Sequence, residues 1–172
     1  MSFLFDGFHH VEPYLMTYGV TALFLAIFLE SCGLPTPGEA SLVAAGLLAA
    51  KGDLDIAHAL LAAIAGAVIG SSLGYGIGRF GGRPALQRFG PLVRLTPDRL
   101  TKMEALFRAK GAIIVVTARF VVLLRQINGF IAGSVAMPWP KFLAANAAGG
   151  VAWTAVWCLT PYYFAHLFEG AK

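Results

Sequence analysis

The chain has 172 residues, of which 58% are apolar and 13% are charged, and its formal net charge is +4. A soluble domain carries about a quarter charged residues, so this composition excludes an ordinary soluble protein and favours an integral membrane bundle. The N-terminus lacks the basic segment and small-residue cleavage site of a removable signal peptide. We therefore expect the apolar segments to belong to the mature protein.

Basic residues are concentrated in one segment. Eight of the 13 Lys and Arg lie between positions 79 and 110, and residues 1–50 contain none. Such a bias places the basic loop on the cytoplasmic side of a membrane. Nucleic-acid binding would need stacking aromatics or a recognition element, and neither is evident. The two cysteines have no paired spacing and the histidines have no zinc-ligand spacing, so no metal and no cofactor is predicted.

The first apolar segment, residues 14–50, is interrupted by Pro35, Pro37 and Gly38. Proline removes a backbone donor and clashes with the preceding turn, so a helix must end there. The arm that follows, residues 40–50, has only 11 residues and is too short to cross a bilayer. We therefore predict that residues 14–50 form a re-entrant helical hairpin.

Residues 54–78 carry no charge after Asp55 and are long enough to form one transmembrane helix. Glycine recurs in this segment every four residues, at Gly66, Gly70, Gly74 and Gly78. These positions share one helix face, which predicts a smooth stripe against which another helix packs closely.

The basic segment, residues 79–110, is predicted to be an amphipathic connector. Thr96 suits the N-cap of a helix and Pro97 suits its first position. Apolar side chains then recur on one face, so this helix can lie on the inner leaflet. A solvated connector with ordinary helical patterning fits the same sequence.

The second half of the chain repeats the first in outline. Residues 111–137 are apolar with two internal charges, and they predict a second re-entrant hairpin that breaks near Asn128 and Gly129. Residues 142–168 carry no charged side chain and predict a second transmembrane helix. The predicted fold is therefore all-α. A single membrane domain, residues 1–172, contains two inverted repeats of hairpin and helix joined by the connector.

Four charged side chains lie within the predicted hairpins: Glu30 and Glu39 in the first, Arg119 and Arg125 in the second. A charge at membrane depth costs at least about 2.5–3.5 kcal/mol, so it normally faces a cavity or a partner and marks a functional path. We predict that the four groups converge near the membrane midplane as a site for substrate and protons. Ion pairs that only fasten the hairpins together are the structural alternative.

The chemistry of these side chains favours a transport site that binds a phosphate group and exchanges protons. Arginine presents a planar fork of donors that suits phosphate oxygens. Apolar surroundings disfavour a charged glutamate, so we expect it to take up a proton near neutral pH. A small-ion or oxyanion transporter and a non-transporting assembly protein remain alternatives. An enzyme would need a nucleophile with an oriented base, and His58 and His166 lack a partner motif, so no enzymatic activity is predicted.

Four ordered motifs resemble one known family. They are Glu30…Pro35-Thr-Pro37-Gly38-Glu39…Ala45-Gly46, Gly74-Tyr-Gly-Ile-Gly78-Arg79, Arg119-Phe120…Arg125…Ala132-Gly133 and Asn146…Gly149…Trp153. Over about residues 20–160 they resemble the DedA family, which shares its core with the eukaryotic lipid scramblases of the VTT group. By position, Glu30 and Glu39 match the two acidic sites of that family, and Arg119 and Arg125 match its two arginines.

The resemblance implies a multi-pass flippase with two opposed hairpins in the bacterial cytoplasmic membrane. It implies transport of lipid headgroups, with undecaprenyl phosphate and phosphatidylethanolamine as the leading cargoes, and dependence on the proton-motive force. The partners it implies are membrane lipids and protons. Formation of a homo-oligomer stays open.

Three positions depart from the family pattern. The family often has Asp in the segment that here reads Gly70-Ser71-Ser72, which weakens a third-carboxylate relay. Its second acidic residue is often Asp, where this chain has Glu39. It usually has proline between the two arginines, where this chain has Val121-Val122-Leu123-Leu124, so a less sharply broken second hairpin is predicted.

Overall fold

A computed structural model describes residues 18–89 and 97–169, and every regular element in these two ranges is an α-helix. The helices are α1 (Val20–Ser31), α2 (Gly38–Ala50), α3 (Ile56–Phe89), α4 (Pro97–Ala118), α5 (Val122–Ser134) and α6 (Trp139–Glu169). The all-α prediction is confirmed for this part of the chain. Residues 14–17 of the predicted first hairpin and 90–96 of the connector, with the proposed N-cap Thr96, lie outside the described residues.

Two helical segments are long and apolar enough to cross a membrane: Ile56–Gly82 of α3 and Trp139–Leu167 of α6. Large apolar side chains occupy exposed positions on both helices, among them Leu61, Ile69, Leu73, Val156, Phe164 and Leu167. Apolar surface of this extent is a liability in water and suits contact with lipid tails. α3 extends beyond its predicted range, 54–78, at the C-terminal end, and α6 extends beyond 142–168 at both ends.

Two kinks divide the segment that was predicted as a connector. Gly82 has φ 56° and ψ −157°, outside the helical region, and Pro84 follows it within α3. Glycine adopts this positive φ without steric cost, so the helix can change direction there. Lys110, with φ −132° and ψ 24°, divides α4. The apolar helical segment Ala109–Ala118 begins at this second kink.

The hairpin arms are short. α1 has 12 residues, and α2 and α5 have 13 each. At about 1.5 Å per residue, such an arm spans about 20 Å, less than the hydrocarbon core of about 30 Å. No arm of this length crosses a bilayer by itself. Re-entrant insertion and an inverted orientation of the repeats stay predictions.

The second hairpin breaks earlier than the sequence suggested. α4 ends at Ala118 and α5 begins at Val122, after one extended residue with φ −117° and ψ 116°. α5 then runs unbroken through Asn128 and Gly129, so the prediction of a break at these two residues is wrong. Both are packing positions, because Asn128 donates its side-chain amide to the Val115 carbonyl oxygen at 2.9 Å and Gly129 leaves room for the backbone of α3.

α2 and α5 end in the same kind of cap. The residue after each cap position is left-handed, Gly52 with φ 84° and Ala136 with φ 55°. Paired backbone hydrogen bonds run from Gly52 and Asp53 to Ala49 and Leu48 in α2, and from Ala136 and Met137 to Gly133 and Ala132 in α5. This is the Schellman pattern, which satisfies carbonyls at a helix C-terminus. Equal helix lengths and equal caps are what an internal repeat predicts.

The described residues cluster into two compact units. The first unit holds the residues up to Glu30, Leu34–Ala67 and those from Val151, and its buried core includes Leu23, Ile27, Leu42, Ala63, Trp153 and Cys158. The second unit holds Ser31–Gly33 and Val68–Gly150, and its buried core includes Tyr75, Val115, Ile131, Met137 and Phe142.

Glycines of the predicted stripe contact a different helix in each unit. In the first unit, a Cβ added to Gly66 would lie 2.7 Å from the Phe24 carbonyl oxygen of α1. In the second unit, a Cβ on Gly78 would overlap the Phe130 carbonyl oxygen of α5, and one on Gly133 would overlap that of Tyr75 on α3. At each of these contacts the helices approach at backbone distance because one of the two residues is a glycine.

Candidate functional site

The two glutamates lie at one place in the first unit, the tip of the first hairpin. Glu30 is the penultimate residue of α1 and only 3% exposed. A Cβ on Gly38 would overlap Oε2 of Glu30, so this carboxylate lies against the first residue of α2. Glu39 adds a half-buried carboxylate in the same first turn. The N-terminus of a helix favours negative charge, which explains why both carboxylates are tolerated there.

The sequence predicted Gly38 as part of the helix break, and the structure shows that it also makes room for the Glu30 carboxylate. Any other residue at this position would place a Cβ where the Glu30 carboxylate lies. The linker itself folds back onto the first arm, because the Thr36 hydroxyl donates to the Ala26 carbonyl oxygen at 2.9 Å. The absence of a side chain at Gly38 and this hydrogen bond together position the carboxylate of Glu30.

Arg119 lies in the link between α4 and α5 and is only 1% exposed. Its Nη2 donates to Ser71 Oγ on α3 at 3.0 Å and to Asn146 Oδ1 on α6. Asn146 in turn donates from Nδ2 to the Val68 carbonyl oxygen at 3.1 Å. Gly149 leaves room for the arginine, since a Cβ there would lie 3.0 Å from Arg119 Cδ. Side chains from both long helices thus orient one guanidinium group.

The partners of Nη2 matter for the chemistry of this site. Ser71 and Asn146 are neutral, and their side-chain oxygens accept hydrogen bonds that orient the guanidinium. A buried, oriented guanidinium is suited to bidentate recognition of a phosphate or carboxylate. Ser71 also lies in the segment where the resembled family often has Asp, and here a hydroxyl contacts the arginine instead.

Arg125 belongs to the same unit as Arg119 and is likewise 1% exposed, in the first turn of α5. The segment Ser31–Gly33, which directly follows Glu30 in the chain, is part of this second unit. Gly33 has φ 102°, and a Cβ there would lie 3.7 Å from the Gln126 carbonyl oxygen. Within this unit, Gly33 therefore lies against the backbone of Gln126, the residue next to Arg125. Convergence of the acidic pair with the basic pair stays a prediction.

Neither Ser71 nor Asn146 was predicted to be a site residue. Both are polar residues in the middle of otherwise apolar helices, and both are almost fully buried. Buried polar side chains are nearly always hydrogen-bonded, so each was a signal that a polar partner lies nearby. Their partner, Arg119, is 48 positions from Ser71 and 27 from Asn146, which no local pattern reveals.

Comparison with known proteins identifies relatives of the chain. The family model described as the VTT domain matches residues 36–163. The chain is 40% identical over 163 residues to an uncharacterized membrane protein of Synechocystis sp., covering 95% of the chain and 75% of the relative. It is 41% identical over 145 residues to one of Mycobacterium tuberculosis, covering 82% and 66%.

Another relative bears a different name. A Lactococcus lactis protein named alkaline phosphatase-like protein is 30% identical over 144 residues, covering 81% of the chain and 67% of that protein. The chain thus spans about two thirds to three quarters of the length of these relatives. No solved structure matches it. Relatives named as membrane proteins, together with two long apolar helices, support a membrane location.

Proposed function

The chain belongs to the VTT-domain, or DedA, family of membrane proteins, and from this premise we propose that it transports a phosphate-bearing lipid across the bilayer. The proposed cargo is undecaprenyl phosphate or a phospholipid such as phosphatidylethanolamine, and the proposed location is the bacterial cytoplasmic membrane, with several crossings. One observation carries the proposal: Arg119 is buried and oriented by hydrogen bonds to both long helices.

A guanidinium in this setting suits a phosphate that must pass through an apolar region. Charge-assisted hydrogen bonds to phosphate are about twice as strong as neutral ones. A phosphate that leaves water needs such partners, because an isolated charge at membrane depth is costly. The lipid tails can stay in the bilayer while the headgroup passes. Arg125, also buried and six positions further along the chain, is the second proposed phosphate contact.

The proposed role of the acidic pair is proton coupling. Glu30 is buried at the N-terminus of α2, and Glu39 lies in its first turn. A proton taken up by either glutamate removes a negative charge that would repel an arriving phosphate. Movement of the lipid would then follow the proton-motive force.

Two alternatives use the same residues. A transporter of a small ion or oxyanion would need the same arginines but no lateral access for lipid tails. The second alternative is a lipid phosphatase, since one Lactococcus relative is named alkaline phosphatase-like protein. A phosphatase would need a nucleophile with an oriented base. His58 is exposed and bonded to Asp55, and the His166 ring meets the Tyr162 ring edge to face, so neither histidine of the described helices is hydrogen-bonded to a nucleophile.

Reconstituted vesicles test the proposal. Labelled undecaprenyl phosphate and labelled phosphatidylethanolamine should change leaflet in vesicles that contain the protein, faster with a pH gradient than without one. Arg119→Lys keeps the charge but loses the planar fork, so it should slow this movement. Arg79→Lys is the matched control, because Arg79 is exposed.

Three results would overturn the proposal. They are movement of labelled lipid no faster than in empty vesicles, flux of phosphate or another oxyanion without lipid movement, and release of inorganic phosphate from the labelled lipid. The second would favour the oxyanion transporter, and the third would favour the phosphatase.

A further inference from the structure

The base of the second hairpin carries a cleft of about 530 Å³ that the proposed transport site does not use. It lies within the second unit, between the kink of α4 at Lys110 and the turn that joins α5 to α6. Its lining includes Phe107, Ile113 and Met137, which are apolar, and two lysines, Lys110 and Lys141. None of the described residues that line it is acidic.

The two lysines select for an anion. Both side chains are exposed and free to reach a ligand in the cleft. Lys141 lies in the first turn of α6, where a positive charge opposes the helix dipole and an anion is favoured. An anion bound there interacts favourably with the helix terminus and with both lysines. It thus offsets the unfavourable position of Lys141.

The part of the cleft wall formed by Met137 is held by tertiary contacts. The Tyr75 hydroxyl donates to the Met137 carbonyl oxygen. The Tyr75 ring also contacts Trp139 and Phe142 at the start of α6, with centroid distances of 5.0 and 4.6 Å. Ala136 holds the turn in a left-handed conformation, which is unusual for a residue other than glycine. A preformed wall lowers the ordering cost of binding.

An apolar groove continues from the cleft along α4 and α6. A second cavity of about 480 Å³ shares Ala112, Ile113 and Lys141 with the cleft and extends to Val116 and Ala144. Apart from Lys141, the polar residue among its described lining residues is Thr117, whose hydroxyl donates to the Ile113 carbonyl oxygen at 2.9 Å. The groove therefore offers apolar surface next to a cationic cleft.

We propose that this cleft and groove bind an anionic phospholipid, with the phosphate on Lys110 and Lys141 and one acyl chain along Val116 and Ala144. The lysines would bind the headgroup, and the apolar groove would bind the acyl chain. A free phosphate would leave the apolar groove uncovered. About 12 Å of helix separates Lys110 from the end of α4 beside Arg119. The headgroup position is therefore away from the transport arginines, and its binding does not depend on the protein being a transporter.

Lipid titration of the whole purified chain in detergent, read by native mass spectrometry, tests the proposal. Phosphatidylglycerol should bind, while zwitterionic phosphatidylcholine and inorganic phosphate should bind at least about tenfold more weakly. Lys110→Gln with Lys141→Gln should weaken phosphatidylglycerol binding by about tenfold or more. The double variant Lys51→Gln with Lys102→Gln is the matched control, since it removes the same charge from exposed positions outside the cleft.

Two further variants separate head from tail. Lys110→Arg with Lys141→Arg keeps both charges and should retain phosphatidylglycerol binding. Ala144→Phe fills the groove from an exposed position and should weaken phosphatidylglycerol while leaving glycerol phosphate binding unchanged.

If Lys110→Gln with Lys141→Gln and its matched control lose phosphatidylglycerol binding equally, the proposed site is contradicted. Unchanged binding in both double variants would contradict it as well. Inorganic phosphate that competes as well as phosphatidylglycerol would show an anion site without lipid recognition, and would also overturn the proposal. Arg119→Gln should leave phosphatidylglycerol binding intact. Loss of binding in that variant would show that the lipid occupies the transport site instead.

Discussion

Arg119 donates a hydrogen bond from Nη2 to Oδ1 of Asn146, 27 positions later in the chain. The same asparagine donates to the Val68 carbonyl oxygen on α3 at 3.1 Å, so a neutral amide joins both long helices to the arginine within one unit. A buried polar group left without a partner costs about 1–3 kcal/mol, which is why this network is expected to act as a whole.

Ser71→Ala should lower lipid transport about tenfold, because a hydrogen bond to a charged group contributes about 1.5–3 kcal/mol and Arg119 would lose one of its two neutral anchors. Ser134→Ala is the matched control, since the Ser134 hydroxyl donates to the Phe130 carbonyl oxygen of its own helix at 2.9 Å. The measurement is the initial rate of headgroup movement in vesicles. Equal rates in the two variants would show that the Ser71 contact does not position the arginine.

Gly38→Ala should displace the Glu30 carboxylate, because the new Cβ would overlap Oε2. We expect a lower thermal midpoint and a weaker response of transport to a pH gradient. Adding Glu30→Ala removes the overlap, so the double variant should regain the midpoint of Glu30→Ala alone while its response to the gradient stays weak. A single Gly38→Ala variant with normal stability and a normal gradient response would contradict this packing.

Gly78→Ala should destabilise the fold by about 1–3 kcal/mol, because its Cβ would overlap the Phe130 carbonyl oxygen and force the helices apart. Gly76→Ala is the matched control on the same helix, where an added Cβ meets nothing within 4 Å. The control should be neutral or stabilising by up to about 1 kcal/mol, since alanine is the better helix former. Denaturant titration in detergent distinguishes the two, and similar midpoints would place Gly78 on a face that contacts no helix.

Because α2 and α5 share the same cap, substitutions at the two equivalent cap positions should change the stability of the fold in opposite directions. Ala136→Gly should stabilise the fold by about 1 kcal/mol, because glycine adopts the left-handed conformation without strain. Gly52→Ala should destabilise it by a similar amount, since it introduces that strain at the matching position of α2. Thermal midpoints of both variants check the pair, and a shift in the same direction for both would contradict the equivalence of the caps.

Asp55 should contribute to the stability of α3 in a pH-dependent way. The backbone N–H of His58 donates to Asp55 Oδ1 at 2.8 Å, and this bond, with the His58 ring, lowers the pKa of Asp55. A lowered folded-state pKa means that the stabilisation is fully present above the ordinary aspartate pKa. It is lost as pH falls through the folded-state value, in the acid range below about 4.

Asp55→Asn tests this dependence. Asparagine also caps helices well but does not titrate, so the variant should fold normally near neutral pH and lose less stability on acidification than the parent chain. Thermal midpoints between neutral and acid pH provide the measurement. Parallel pH profiles would show that another carboxyl group accounts for the acid sensitivity.

Much of the architecture follows from local sequence features. The long helices are marked by uncharged apolar runs, and the break of the first hairpin by Pro35 and Pro37, which end any helix on steric grounds alone. The break of the second hairpin has no such residue. Asn128 and Gly129 resemble a break in sequence, yet they lie inside α5, because the amide finds the Val115 carbonyl oxygen and the glycine admits the backbone of α3.

The sequence by itself determined the membrane class, the break of the first hairpin and the presence of four charged residues in apolar segments, because composition, proline and hydropathy act over a few residues. Only the tertiary structure decided what surrounds those charges. Gly38 admits the Glu30 carboxylate, and Ser71, 48 positions from Arg119, orients its guanidinium. Such contacts depend on which helix faces meet, and a buried polar group takes whatever partner the packing brings within hydrogen-bonding distance.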